Sequence, residues 1–185
     1  MAVGLFGGAF DPPHDGHVAL ARAAKLRFAV PRLVVLVSEH PGHKDVDLPA
    51  TIRLELARAA FPDEDVRLDP YPRTIDLLRA ERFDDPIVLI GADQFVAFLT
   101  WKEPEEVLEL ARLGVATRPG FDYGLLDAVL RGLDHRDRVV FFDIEPNPAA
   151  SREIRAMAAA GAPLDGLVPP AVQRLIAERR LYGPD

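Results

Sequence analysis

Cysteine is absent from the 185 residues, which excludes disulfides, thiolate nucleophiles and cysteine-ligated zinc and makes a reducing cytoplasm the expected compartment. Lysine is scarce: Lys25, Lys44 and Lys102 stand against nineteen arginines. No apolar run approaches the ~18 residues of a membrane-spanning helix. The N-terminus enters an apolar strand without a basic leader, so no signal peptide is expected. Positive charge is in deficit, with 29 acidic against 22 basic residues, a net charge of -7 and a pI near 5.2. A general nucleic-acid surface depends on many Lys and Arg contacts to phosphate, so that class is not expected. Repeats, low-complexity tracts and long linkers are also missing.

What is present is ordinary globular composition, 49% hydrophobic and 28% charged. The length suits a single domain over 1–185, with an α/β core over 1–148 and a C-terminal helical part over 149–185. Short runs rich in Val, Ile, Leu and Phe predict strands at Val3–Phe6, Leu33–Val37, Val66–Leu68, Ile87–Ile90, Leu113–Thr117 and Val139–Phe142. Helical patterns fall between most of them, at about Gly16–Phe28, Ala50–Ala60, Thr74–Glu81, Glu103–Ala111 and Leu125–Arg131. Ser151–Ala160 and Pro170–Arg180 follow as two further helices, read as an appendage. Strands alternating with helices imply crossover connections and a parallel sheet covered on both faces. The expected fold is a Rossmann-like doubly wound α/β sheet, with ligands at the carboxyl ends of its strands.

The densest chemistry lies in Gly7-Gly8-Ala9-Phe10-Asp11-Pro12-Pro13-His14-Asp15-Gly16-His17, between the first strand and the first helix. A helix N-terminus attracts anions, and glycines let a phosphate approach the backbone. Two histidines add donors suited to charge that builds up in a transition state. Zinc is the rival, since His40 and His43 also fall near a strand end. Pro12 and Pro13 put His14 in a loop, however, and no carboxylate stands at a zinc-like spacing. The spacing also lacks the G-x-G-x-x-G of a dehydrogenase fingerprint.

Gly8-x-Phe10-Asp11-Pro12-x-His14-x-Gly16-His17 resembles the signature of the HxGH nucleotidylyltransferases. Later segments are similar to the nicotinate-nucleotide adenylyltransferase branch of that superfamily. That resemblance implies transfer of AMP from ATP to nicotinic acid mononucleotide, giving deamido-NAD and pyrophosphate in NAD biosynthesis. Mg²⁺ is implied as the companion of ATP, held mainly by its phosphates, with no dedicated protein metal site. On the resemblance, Gly7, Gly8, Ala9, Phe10, His14 and His17 bind ATP, and both histidines stabilise the α-phosphate. Lys44, closing His40-Pro41-Gly42-His43-Lys44, resembles the lysine of a Pro-Pro-His-Lys segment, with Gly42 in place of the second proline. Ser151-Arg152-Glu153-Ile154-Arg155 resembles Ile-Ser-Ser-Thr-x-x-Arg, which implies ATP contacts from Ser151 and Arg155. Ala149, Ala150 and Arg152 depart from it.

Gly91-Ala92-Asp93 resembles a segment facing the ATP ribose, although Asp93 is also suited to cap a helix. For the acceptor the resemblance implies Lys44, Thr74, Trp101 and Arg118. Trp101 matches a tryptophan that stacks on the pyridine ring, and Arg118-Pro119-Gly120 matches a phosphate-approaching Arg-Pro-Gly. Arg73-Thr74-Ile75-Asp76-Leu77 resembles the nicotinate-recognising Ser-Tyr-Thr-x-Asp-Thr-Leu, with Pro72 and Arg73 replacing Ser-Tyr. Leu181-Tyr182 matches the ending of the branch, and His135 has no assigned role. If Ser151 caps its helix, Arg152 and Arg155 in or beside the first turn oppose the macrodipole, each by about 0.3–1 kcal/mol, unless an anion binds there. The alternatives are the same chemistry on nicotinamide mononucleotide or phosphopantetheine, or a nucleotide-binding regulator without turnover. The sequence leaves a homo-oligomer open.

Overall fold

The computed structural model describes residues 1–42 and 45–183. Its strands are β1 (Val3–Gly8), β2 (Leu33–Ser38), β3 (Asp65–Asp69), β4 (Pro86–Gly91), β5 (Arg112–Thr117) and β6 (Val139–Asp143). Its helices are α1 (Asp15–Phe28), α2 (Ala50–Ala60), α3 (Thr74–Ala80), α4 (Ala92–Val96), α5 (Pro104–Leu110), α6 (Tyr123–Arg131), α7 (Ser151–Ala159) and α8 (Pro170–Glu178). The strands form one parallel sheet in the order β3-β2-β1-β4-β5-β6. Strand order reverses between β1 and β4, which creates a crevice at their carboxyl ends, the switch point where ligands bind in such sheets.

Side chains leave a strand on alternate faces, and both faces here are apolar. Phe6, Leu33, Val35, Val37, Ile87 and Leu89 pack with α1, α2, α7 and α8. Leu5, Leu36, Val88, Ile90, Leu113 and Val115 pack with α3, α4, α5 and α6. Burial on both sides produces the near-continuous apolar runs of the sequence and fixes the register, because a one-residue slip would exchange the two faces.

Pro104 occupies the first turn of α5, where its missing N–H costs nothing, and the helix ends at Leu110. The sequence pattern does not reveal α4, whose five residues are too few for a helical period to emerge. The C-terminal helices bury Ile154, Val172 and Ile176 in the same cluster as β1 and β2. No helix among the described residues is long and apolar enough to cross a membrane.

Candidate active site

Two cavities open at the carboxyl end of the sheet. The first, of about 380 Å³, is lined by Ala9, Phe10, Asp11, His17, Asp45, Ser151, Arg152 and Arg155. It lies where the loop after β1 meets the start of α7.

The loop owes its path to two glycines and a folded-back phenylalanine. A Cβ on Gly8 would fall 2.9 Å from the Phe10 ring, whereas one on Gly7 would meet nothing within 4 Å. Gly7 therefore leaves backbone open, as the motif suggests. At Gly8 the missing side chain makes room for Phe10. That ring is 1% exposed and contacts Phe6, Phe61 and His17 edge-on, with its centroid 5.1 Å from the His17 ring. Phe10 thus seats the histidine as core residues seat one another, and it does so from a left-handed backbone, φ 52°.

His14 precedes α1 with an extended backbone and its amide donates to His17 Nδ1 at 3.2 Å. The two rings lie 3.8 Å apart at 35°. An accepting Nδ1 puts the proton of a neutral His17 on Nε2, which makes that edge of the ring a donor. Gly16 packs closely under His14, since a Cβ there would sit 3.0 Å from the ring and the ring would have to shift. Burial pushes the His14 imidazole down to about 4, so it is neutral at pH 7. Its Nδ1 is buried without a hydrogen-bond partner among the described residues. His14 itself lines neither cavity; it stands behind His17, whose ring does line the first.

The amide row at the start of α1 is less open than a helix N-terminus suggests. Asp15 N donates to Leu167 O and His17 N donates to His14 O, both at 2.9 Å. Side chains, with the macrodipole behind them, must carry most of any anion contact.

Ser151 corrects a sequence expectation. Ala150, not Ser151, caps α7, and the Ser151 hydroxyl donates to Pro12 O at 2.9 Å. Arg155 donates to Asp11 O at 3.0 Å and pairs with Asp47 at 3.1 Å and Asp45 at 3.9 Å, leaving its side chain 11% exposed. Ile154 is the sole buried residue of α7. Its burial contributes about 1.5–3 kcal/mol, so the polar bonds from Ser151 and Arg155 to the first loop do much to hold the helix in place. The opposed macrodipole is offset at Arg155 by its carboxylates, while Arg152 stays exposed at the cavity rim.

A buried polar pair supports this arrangement: Asp11, which stands in the signature motif, and Arg53, which nothing in the sequence singles out. Asp11 is 2% exposed; its Oδ2 accepts the amides of Asp47 at 2.5 Å and Leu48 at 3.3 Å. Arg53 of α2, also 2% exposed, donates to Leu48 O, Ala9 O and Ser38 O at 3.0, 2.7 and 2.8 Å. One guanidinium thereby ties the ends of β1 and β2 to the segment before α2. The three bonds come from Nε and Nη1, whose directions the planar guanidinium holds fixed.

The second cavity, about 370 Å³, is lined by Asp93, Val96, Arg118, Pro119, Gly120, Phe121, Asp122 and Leu125. Gly91 caps α4, and its amide donates to Gln94 Oε1 at 3.4 Å, so Asp93 sits in the first turn and is not the cap. Asp93 and Arg118 approach within 3.9 Å at 80% and 55% exposure. Thr74 and Trp101 line neither cavity. They lie on adjacent segments, joined by Lys102 Nζ donating to Asp76 at 2.8 Å. Trp101 is half-buried, its ring 5.2 Å from Phe98. Lys44 and His43 lie outside the described residues.

A crevice of this kind at the switch point of a parallel sheet, with histidines after β1, defines a nucleotide-handling α/β protein. A cytidylyltransferase-like family model matches residues 5–158. A probable nicotinate-nucleotide adenylyltransferase of Symbiobacterium thermophilum is 37% identical, over 97% of this chain and 94% of that protein. One from Solibacter usitatus is 36% identical over 98% and 100%. The solved nicotinic acid mononucleotide adenylyltransferase of Plasmodium falciparum, complexed with NaAD, shares the fold at a TM-score of 0.76 and 15% identity, over 98% and 97% of the two chains. The chain belongs to the nicotinate-nucleotide adenylyltransferase family, whose members are nucleotidyltransferases.

Proposed function

We propose that the protein transfers AMP from ATP to nicotinic acid mononucleotide, forming deamido-NAD and pyrophosphate, and that residues 1–185 act as one domain. The observation that carries this reading is the convergence of His14, His17, Ser151 and Arg155 at the end of β1, in a chain of this family. The attacking phosphate is already an anion, so the reaction needs no general base. Alignment and charge stabilisation then supply the rate. In this reading His17 donates from Nε2 to the α-phosphate as its charge grows, and the neutral His14 supports the same group. Arg155 exchanges its carboxylate partners for the departing β,γ-phosphates, with Lys44 as a second cation. Gly7 and Ala9 give the triphosphate backbone access, and Ser151 keeps α7 against the loop.

Mg²⁺ enters as the partner of ATP and supplies neutralisation of the polyphosphate. Both carboxylate oxygens of Asp11 are engaged by donors of the protein, and no group of three His, Asp or Glu suited to a metal exists among the described residues. On the family resemblance the ATP phosphates are its main ligands. Asp93 takes the ribose hydroxyls, while Arg118, Thr74 and Trp101 take the acceptor. The sharing of one cavity by Asp93 and Arg118 supports a ribose and an acceptor phosphate lying close together. Pyrophosphate release is measured with ATP and each of nicotinic acid mononucleotide, nicotinamide mononucleotide and phosphopantetheine. Release that is fastest with the first supports the reading. ATP binding without release on any of the three contradicts it.

A further inference from the structure

Tyr182 stands at the other end of the chain from the histidine motif, yet its hydroxyl donates to Asp11 Oδ1 at 2.7 Å, across 171 positions of sequence. The same carboxylate receives the amides of Asp47 and Leu48 on its second oxygen, and the Asp11 carbonyl receives Arg155. One residue therefore joins the loop after β1, the segment before α2, the first turns of α7 and the C-terminal end. Tyr182 adopts φ 65°, a left-handed conformation that an aromatic residue rarely takes without an external hold. Burial first, and then the Asp11 contact, raise the phenol far above its ordinary pKa, so it stays a donor.

We propose that Tyr182 is a positioning residue for the transfer step: its hydroxyl fixes the Asp11 carboxylate, and Asp11 in turn sets Arg155, the 45–48 segment and the loop leading to His14 relative to one another. The proposal rests on the reading of this cavity as the triphosphate site. Asp11 lines the cavity, but with both oxygens engaged it acts as a hub and not as a ligand. The C-terminal turn is then part of the catalytic arrangement although Tyr182 lines neither of these two cavities.

The test is Tyr182→Phe, which keeps the ring and removes the donor. Steady-state pyrophosphate release is measured per molecule able to bind ATP, together with amide exchange at Asp47 and Leu48. Misplacing reacting groups lowers kcat more than substrate binding. The expected result is a kcat about tenfold lower, an ATP KM within about twofold of wild type, and exchange at both amides accelerated about tenfold. Unchanged kcat overturns the proposal, as does a loss confined to thermal stability with normal turnover per folded molecule. If Tyr182→Phe does not fold, Asp11→Asn is put to the same measurements. A fall in kcat with ATP binding kept supports the proposal, and loss of both together overturns it. If wild-type protein releases no pyrophosphate, the functional reading fails by itself, and amide exchange still decides whether the phenol orders Asp47 and Leu48.

Discussion

The two cavities at the sheet's carboxyl end are built in opposite ways. Around the first, Asp11 and Arg53 are each 2% exposed and their bonds cross the end of β1, the end of β2, the 45–48 segment and the C-terminus. Around the second, Asp93 and Arg118 are largely exposed and meet only at 3.9 Å. Groups fixed before substrate arrives need no rearrangement as charge develops, which is what transition-state stabilisation demands. Exposed charges that a ligand must gather can set affinity and choice of partner but contribute little to the fold. The first cavity is therefore suited to the reacting phosphates, and the second to recognising what is joined to them.

The strongest way to break that contrast is to remove Arg53. Arg53→Leu removes the donor from three part-buried carbonyls and one of the cations near Asp11, a loss of about 3–5 kcal/mol of stability, read by urea unfolding. Next in size is His17→Ala, expected to lower kcat by about 10²–10³ while ATP KM changes little; equal losses in both would remove the transition-state role.

His14 gives a pH signature. Its folded pKa, about 4, is below the usual 6.5, so the unfolded chain binds more protons between those values. Stability from this residue is complete above pH 6.5 and is lost as pH falls toward 4, by about 3 kcal/mol in all. Denaturant titrations of wild type and His14→Gln across that window should differ in slope with that sign. The smallest effect belongs to the second cavity. Arg118→Ala should raise the acceptor KM about tenfold yet leave stability within about 0.5 kcal/mol, and a large loss of stability would erase the distinction between the two regions.

The strands were legible in the sequence because both sheet faces are buried, so Leu33 to Val37 and Ile87 to Ile90 read as continuous apolar runs bounded by polar turns. The histidine motif was legible because its parts are consecutive. Arg53 was not: on α2 it has the look of a solvated helix position, and its partners Ala9 and Ser38 lie 44 and 15 residues away. Tyr182 could be noted as part of an ending, but its partner Asp11 is visible only when the chain is folded. The role of Ser151 as a cap could only be posed as a condition, because its bond to Pro12 joins residues 139 positions apart and is visible only in the folded chain. Gly8 was legible as a needed glycine but for another reason, since Phe10 takes the space.

The most direct test is a crystal structure with a non-hydrolysable ATP analogue. Its phosphates are expected among Gly7, His14, His17 and Arg155, with Arg155 released from Asp45 and Asp47 and the ribose at Asp93. Phosphates seated instead on Arg118, with the cavity lined by His17 and Arg155 unfilled, would contradict that placement.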